Sequence, residues 1–470
     1  MSRRTETAAA LIKGAMLAML LTLGGCAGFS SDGGYGFVES TARERIGKEV
    51  KWVKSDADAD GVLATVKALL VKPLSVEDAV QIALLNNRGL QAMYAELGIA
   101  EADLVQAGRL RNPGFSYRNV HGGPEFNLER SLMFDFMQLI TVPLATKLER
   151  RRFEATQLRV AVEVLKVAVQ TRKAYFNAVS ARQTASYMED VKVSAEAGAE
   201  LARRMAGVGN WNKLNQAREH VFYAEATARL ARVRMDSISQ REQLTRLLGL
   251  WGDDTKFRLP DRLPDLPKLP DELADVESLA LKQRLDIRAL RSDMDGLASS
   301  LGLTRATRFI NVLELGPAEV RDTNVPIKRG YDISVELPIF DWGTARVSKA
   351  EAIYMQAVNR AAEVAVNARS EVRESYAAYL TTYELAKHYR DEIVPLRKQI
   401  SDENLLRYNG MLIGVFELLA DAREQVSSVN SYIEALRDYW LADAELQMAF
   451  VGKPDAGAPG GTRGLPGKPR

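Results

Sequence analysis

The chain has 470 residues, of which 46% are hydrophobic and 26% charged, the composition of a folded protein with room for two or three domains. Its 63 Lys and Arg nearly balance its 61 Asp and Glu, and no basic patch is interleaved with aromatic residues, so nothing in the sequence indicates nucleic-acid binding. A single cysteine excludes a disulfide within the chain.

The N-terminus has the pattern of a cleavable secretory signal. A basic start is followed by a short apolar stretch at 15–23 and by small residues just before Cys26. This resembles a bacterial lipoprotein box, in which the cysteine sulfur takes a diacylglycerol. An ordinary signal peptide with a chance cysteine is the alternative. We predict a signal peptide at 1–25, a lipidated arm at 26–73, and no cofactor other than the lipid on Cys26.

Most of the remaining chain is a duplication, with one half at 74–250 and the other at 273–452. Each half has, in order, an amphipathic helix, two strands, a very long helix, a glycine turn and a returning helix. Ala-Arg-Glu recurs in both returning helices, at 217–219 and 422–424. The halves are joined by a proline-rich linker at 251–272, which cannot be helical. A Gly- and Pro-rich tail at 453–470 is predicted to be disordered.

The predicted helices are unusual in length. The amphipathic ones cover 75–109 and 272–305, and the long ones cover 146–206 and 344–409. Each long helix would run roughly 90 Å at 1.5 Å per residue. The first long helix has only a narrow polar stripe, which predicts packing on several sides in a coiled-coil barrel or bundle. Pro395 should kink or break the second. An elongated coiled coil without a pore would explain these helices equally well.

Alternation of apolar and polar residues predicts two strands in each half. The segments are 114–118, 131–136, 331–337 and, less cleanly, 309–315, with turns at 122–124 and 317–326. In lipid, the bare edges of a four-stranded sheet would cost several kcal/mol per unpaired group. If these strands cross a membrane, the chain must therefore oligomerise, to eight strands with two copies or twelve with three. The alternative is a small soluble sheet beside a helical bundle.

The order of parts from about Leu74 to Gly452 resembles the TolC-type outer-membrane efflux protein family, in particular its lipidated members. The motifs that carry the resemblance are Leu-Pro-Ile-Phe-Asp-Trp-Gly at 337–343, Arg-Tyr-Asn-Gly at 407–410 followed by Glu-Leu-Leu at 417–419, Asn-Asn at 86–87, and Asn-Pro-Gly at 112–114.

This resemblance implies a mainly α-helical chain with a membrane β-barrel portion. The duplicated strand-strand-long-helix halves of three chains would form an α-helical barrel and share one twelve-stranded β-barrel. Such a homotrimer, lipid-anchored in the bacterial outer membrane with a large periplasmic part, is the exit duct of a tripartite export system. It receives cargo from an inner-membrane pump through a periplasmic adaptor, and it is not an enzyme. The alternative function is a lipid-tethered periplasmic coiled-coil adaptor or scaffold without a pore.

The resemblance also implies a closed gate just inside the periplasmic tips, formed by acidic or apolar side chains. Leu412, Glu417 and Asp421 are the candidates, and the two carboxylates lie four residues apart on one helix face. Ala420 departs from the family pattern, because it turns the helix by about 100° before Asp421 and leaves its direction open. Both carboxylates could instead pair with Arg423 or Arg407.

The two glycine turns would be the tips that meet the adaptor. The tip residues implied are Gly207, Asn210, Trp211, Gly410 and Gly414. Trp211 could be an exposed anchor for a partner helix, or it could fill the turn between its own two helices. We find no metal-ligand spacing and no nucleophile or phosphate-binding motif. The sequence leaves open whether the cargo is a drug, a metal ion or a polypeptide.

Overall fold

The structure is a computed structural model that describes residues 28–309 and 312–452. The predicted signal peptide, Cys26 and the tail lie outside the described residues. The regular elements, in chain order, are α1 (Tyr35–Ile46), α2 (Asp56–Leu70), α3 (Val76–Asn86), α4 (Arg88–Ala107), β1 (Gly114–Gly122), β2 (Glu125–Asp135), α5 (Met137–Gly207), α6 (Lys213–Leu248), α7 (Val276–Gln283), α8 (Leu285–Ala306), β3 (Leu313–Asp322), β4 (Lys328–Val335), α9 (Thr344–His388), α10 (Val394–Asn409) and α11 (Val415–Val451).

The prediction of a single amphipathic helix at the start of each half is wrong, because the structure has two consecutive helices there in each half. Asn87 separates α3 from α4 with ψ 118°, and Arg284 separates α7 from α8 with ψ 124°. Both values are extended rather than helical. Side-chain oxygens accept from first-turn N–H groups of the restarted helices: Asn87 Oδ1 accepts from the backbone N–H of Gly89 at 2.8 Å, and Asp286 Oδ1 accepts from that of Ile287 at 2.8 Å. Hydropathy periodicity alone does not reveal such a break.

Each break also closes the end of its own returning helix. Asn86 Nδ2 donates to the carbonyls of Leu248 at 3.0 Å and Gly249 at 2.8 Å. In the second half, the Arg284 guanidinium donates to the carbonyl of Ala449 at 3.4 Å. These carbonyls would otherwise have no partner at a helix C-terminus. The contacts require close approach, so both helices end at a glycine with positive φ, 66° at Gly249 and 108° at Gly452.

The four strands form one antiparallel sheet in the order β1-β2-β3-β4. The prediction of a loop at 317–326 is wrong, since β3 continues through Pro317 to Asp322. Pro317 lies opposite Tyr331 of β4, while the β2–β3 ladder has no pairs between Ser131↔Ala318 and Phe134↔Leu315. Proline has no N–H to donate, so a strand can contain it where the ladder is interrupted.

Proline has different effects in the two long helices. α5 begins at Met137, earlier than predicted, so that Pro143 lies inside the helix rather than before it. In the second half, the predicted interruption at Pro395 is confirmed. A π-helical turn, Tyr389–Ile393, separates α9 from α10, and the Val394 N–H bonds back to the Tyr389 carbonyl. Pro395 cannot donate to the carbonyl four residues earlier, which explains the wider turn. Across 28–309 and 312–452, no helix is both long and apolar enough to cross a membrane.

The chain divides into two compact units, each of which draws on both halves of the duplication. The first contains Ala95–Leu158, Arg288–Glu363 and the described residues up to Gly36, and it includes the sheet. The second contains Phe37–Tyr94, Arg159–Ile287 and the described residues from Val364 onwards. The main core of this second unit packs aromatic and aliphatic side chains of α5, α9 and α11.

The proline-rich linker is part of that core. Apart from a short 3-10 helix at Gly252–Lys256 it has no regular structure until α7. Leu259, Leu263 and Leu266 are buried, and side chains bind the linker backbone. Tyr383 donates to the carbonyl of Lys268 at 2.7 Å, and the Trp440 indole donates to that of Pro264 at 3.1 Å. The linker is therefore extended, as its prolines predict, and held along its length.

The closing glycine of the first half gives a test. A Cβ at Gly249 would lie 2.7 Å from the backbone oxygen of Asn86, at a φ that only glycine adopts without strain. We expect Gly249→Ala to lower the free energy of unfolding by about 1–3 kcal/mol, measured as a lower thermal midpoint in circular dichroism. The control Gly61→Ala, in α2 with nothing within 4 Å, should be neutral or stabilising. Equal midpoints for the two variants would contradict this account.

Candidate functional site

The first glycine turn connects α5 to α6 through residues 208–212. Gly209 has φ 78°, and Asn210 N–H bonds to the Met205 carbonyl at 2.9 Å. Asn212 then caps α6, its side chain accepting from the Asn215 N–H at 2.8 Å. Of the tip residues predicted here, Gly207 and Asn210 are exposed and Trp211 is half-buried. Trp211 is therefore not a fully exposed anchor.

The second glycine turn connects α10 to α11 through residues 410–414. Its left-handed residue is Met411, with φ 58°, whereas Gly410 has φ −80° and Gly414 stands at the N-cap of α11 without a side-chain cap. Met411 is 94% exposed and Leu412 is 77% exposed. Two large apolar side chains thus project from this tip into solvent, which is the exposure expected where a partner binds.

The predicted acidic pair lies one turn and two turns into α11. Glu417 is exposed, and its carboxylate has no ion pair within the described residues. Asp421 is half-buried, and its Oδ2 is buried with no hydrogen-bond partner among the residues that the structure describes. The alternative in which these carboxylates pair with Arg423 or Arg407 is wrong, because neither pair forms among the described residues and Arg423 binds Glu219 instead. Their role as a gate stays a prediction.

The partner of Arg423 is Glu219, which sequence reasoning missed. Glu219 of α6 is only 2% exposed, and its Oε1 accepts from Arg423 Nη2 of α11 at 2.5 Å. The same guanidinium lies over the ring of Phe222, 4.5 Å from its centroid. A buried carboxylate needs such a partner, since burying an isolated charge is costly. The pair therefore ties the returning helices of the two halves together near their tips.

The repeated Ala-Arg-Glu motif was the available signal for this pair. Its glutamate in the first half, Glu219, meets its arginine in the second half, Arg423. The other two members have different neighbours: Arg218 lies 5.5 Å from the Phe416 ring centroid, and Glu424 pairs with Arg397 at 3.1 Å. A motif shared by two halves thus makes an asymmetric contact, which repetition alone could not indicate.

The sheet, in the first unit, has an apolar face that is open to solvent. Side chains alternate between faces along a strand, and directly paired residues share a face. The register therefore places these exposed apolar residues together: Phe115, Tyr117, Phe134, Leu315, Tyr331, Ile333 and Val335. They span all four strands, and an exposed patch of this kind marks a surface that water does not normally cover. We call it the apolar face.

The opposite face, which we call the polar face, is rich in carboxylates. Its acidic residues are Glu125, Glu129, Asp135, Glu314, Asp322 and Asp332, against the bases Arg118 and Lys328. Both bases are paired, Arg118 with Glu129 at 3.1 Å and Lys328 with Asp322 at 3.0 Å. Asp135 lies directly opposite Glu314, an unfavourable arrangement of like charges. The excess negative charge is thus concentrated where the strands join the long helices.

The described fold matches solved membrane channels. The Campylobacter jejuni CmeC outer membrane channel superposes with a TM-score of 0.68 and 16% identity, over 81% of this chain and 86% of that one. The open state of the Neisseria gonorrhoeae MtrE outer membrane channel gives a TM-score of 0.67 and 18% identity, over 81% and 89%. This chain has the fold of the outer-membrane channels. The resemblance read from the sequence motifs is thereby confirmed.

Sequence similarity to characterised proteins is weaker than this similarity of fold. No protein-family model matches the chain. The cobalt-zinc-cadmium resistance protein CzcC of Cupriavidus metallidurans is 23% identical over 278 residues, 57% of this chain. The match covers 64% of the length of CzcC, which is less than two thirds. The two channel structures share their fold with this chain at identities too low to carry over individual residues.

The buried Glu219–Arg423 pair gives a second test. We expect Arg423→Gln to cost about 3–5 kcal/mol of stability, because it leaves the Glu219 carboxylate buried without a countercharge. Changing both residues to glutamine should recover most of that loss, since no charge then remains buried. The thermal midpoints of Arg423→Gln, of Glu219→Gln and of the double variant together measure the coupling between the two side chains.

The matched control is Arg397→Gln in α10. It breaks a more exposed pair, whose other member, Glu424, lies beside Arg423 on α11. Its expected cost is at most about 1 kcal/mol. If Arg397→Gln and Arg423→Gln lower the midpoint equally, the buried pair does not hold the two returning helices together.

Proposed function

We propose that the chain is the exit duct of a tripartite export system in the bacterial outer membrane. The observation that carries this proposal is the sheet, which has an apolar face open to solvent and two edges, β1 and β4, that no other strand of the described residues pairs with. Within a bilayer each unpaired backbone group costs several kcal/mol, so the edges must pair with other copies. Pairing β1 of one copy with β4 of the next closes a barrel without any change within the sheet.

Three copies, giving twelve strands, are the number that the family resemblance implies. In this arrangement the apolar face contacts lipid, and the polar face lines a water-filled passage. Three strands have the length that such a passage needs, since β1 has 9 residues, β2 has 11 and β3 has 10, against about 9–11 for a tilted membrane strand, and β4 has 8. The long helices of the three copies would continue the passage as an α-helical barrel across the periplasm.

The remaining parts of the proposal come from the family resemblance. A lipid on Cys26 anchors the chain in the membrane that its strands enter, and no further cofactor is required. The tips at Gly207–Trp211 and Gly410–Gly414 contact a periplasmic adaptor, with Met411 and Leu412 as exposed apolar contacts. An inner-membrane pump supplies the energy, and the chain itself is not an enzyme. A pore-free coiled-coil scaffold is disfavoured, because it would leave the apolar face in water.

Cations are the cargo class that the polar face supports. Two carboxylates that have no ion pair among the described residues, Glu314 and Asp332, lie beside Asp135 at one end of the sheet, and threefold repetition would make an acidic ring. The name of the relative CzcC, a cobalt-zinc-cadmium resistance protein, points in the same direction.

The first experiment measures the oligomeric mass of the protein in mild detergent. Single-channel recording in a planar bilayer follows. We expect a trimer that conducts potassium over chloride with a preference of about tenfold, as a cleft lined by one sign of charge gives. The variant with Asp135→Asn, Glu314→Gln and Asp332→Asn should lose most of this preference. Raising the salt to about 1 M, where the Debye length is about 3 Å, should do the same to the wild type.

The matched control is Glu319→Gln, which removes one charge from β3 on the apolar face. It should leave the ion preference unchanged. A monomer or dimer that never conducts would refute the channel and leave the tethered scaffold. A conducting trimer with no cation preference would keep the channel and refute the proposed cargo class.

The proposed gate has its own test. If Glu417 and Asp421 narrow the closed tip, changing both to alanine should raise conductance or the open fraction, because two carboxylate rings are removed. Glu434→Ala is the control, since it removes an exposed carboxylate from the same helix far from the tip. Conductance that is indifferent to the double change would discard the gate assignment and keep the duct.

A further inference from the structure

The apolar face is interrupted by a cluster of arginines near one end. Arg130 of β2 lies opposite Glu319 of β3, which lies opposite Arg329 of β4. Arg321 occupies the next position of this face along β3, opposite Leu128. All three arginines are exposed. Between this cluster and the long helices, the residues that pair across the strands on the same face are apolar.

The arginines on the apolar face are not neutralised as the bases of the polar face are. Arg118 and Lys328 on the polar face each pair with a carboxylate. On the apolar face only Arg329 does, with its Nε 3.3 Å from Glu319 Oε2. The Arg130 guanidinium lies over the Tyr117 ring at 5.9 Å, and Arg321 has no ion pair within the described residues. The face that carries the most apolar surface thus also carries uncompensated positive charge.

The position of these arginines along the strands indicates what they meet. From Val335 to Arg329, β4 covers about 20 Å at about 3.3 Å per residue. Exposed apolar side chains continue past Val335 at Leu337 and Ile339. At a barrel-strand tilt of about 40° the strand part crosses only about 15 Å, so it is together with the apolar residues beyond Val335 that the stretch approaches an outer-membrane hydrocarbon band of about 25 Å. The arginines lie at its far end. Charge at that depth belongs to the headgroup region, because a guanidinium in hydrocarbon is costly.

We propose that Arg130, Arg321 and Arg329 form a binding surface for the phosphate groups of membrane lipids. The inference rests on the proposed insertion of the sheet in the outer membrane, and it names a partner for the outward-facing surface rather than for the passage. A guanidinium presents N–H groups in a planar fork that matches phosphate oxygens, so it binds them in two places at once. The long side chains reach from the apolar band to the headgroups.

This arrangement sets the depth and orientation of the sheet. Apolar rows hold one side of the cluster in hydrocarbon, while phosphate contacts hold the arginines at the interface. Glu319 keeps Arg329 paired before lipid arrives, and the Tyr117 ring supports Arg130. Threefold repetition would give a basic girdle around the barrel at one level of the membrane.

The test compares two lipids that differ only in the phosphate. The full-length oligomer in mild detergent is mixed with phosphatidic acid or with diacylglycerol of the same acyl chains, and bound lipid is measured by native mass spectrometry. We expect the wild type to retain phosphatidic acid preferentially. Arg130→Gln and Arg321→Gln should each weaken that retention about fivefold, the effect of one basic residue near a lipid surface.

Arg118→Gln is the matched control, because it removes the same charge from the opposite face of the same sheet. Equal retention of the two lipids by the wild type overturns the proposal without any variant. Equal loss in Arg118→Gln and Arg321→Gln also overturns it, and so does displacement of phosphatidic acid by inorganic phosphate at the same concentration, which would indicate a site for free phosphate. A trimer that conducts but shows no phosphate preference refutes this inference alone, whereas a chain that forms no conducting oligomer refutes the proposed function.

Discussion

A sheet that cannot be completed by one chain is the constraint on which the rest of this structure depends. Within the described residues, no strand pairs with the outer backbone N–H and C=O groups of its edge strands, and its apolar face is open to solvent. Each of these features is unfavourable for an isolated chain in water, and both are relieved when copies pair edge to edge in lipid. The same sheet separates charge by face, with carboxylates on one side and arginines at the end of the other. The proposed assembly, passage and membrane contact would thus be three consequences of one register.

The duplicated halves are stabilised in the same way at the end nearest the linker. In each half, the break between the first two helices sits against the C-terminus of the returning helix, through Asn86 and Asn87 in one half and Arg284 in the other. The terminal glycines are needed because the approach leaves no room for a Cβ. Different side chains therefore perform the same closure, amide in one half and guanidinium in the other. Duplication has preserved the contact rather than the residue.

Near the tips the two halves are joined by a different interaction, the buried pair of Glu219 and Arg423. Because a carboxylate that is 2% exposed strongly requires its countercharge, this contact holds α6 and α11 at one relative position. Asp421, two residues before Arg423 and with a buried oxygen that has no hydrogen-bond partner among the described residues, is the nearest carboxylate along α11 in the direction of the tip. Any movement of the tips must therefore either keep this pair intact or break it, and breaking it costs free energy.

The sequence by itself determined the mainly helical class, the duplication, the two strands in each half and the interruption at Pro395, because periodicity and proline chemistry are local properties. It did not indicate the breaks at Asn87 and Arg284, since these residues act on a helix end more than 150 positions away along the chain. Nor did the sequence indicate that β3 continues through Pro317, because that depended on which of the two strand pairs of β3 lacks hydrogen bonds at the proline. The Glu219–Arg423 pair and the chemistry of the two faces were decided only in three dimensions, by the packing of α6 on α11 and by the register of four strands, because both join residues that local pattern cannot relate.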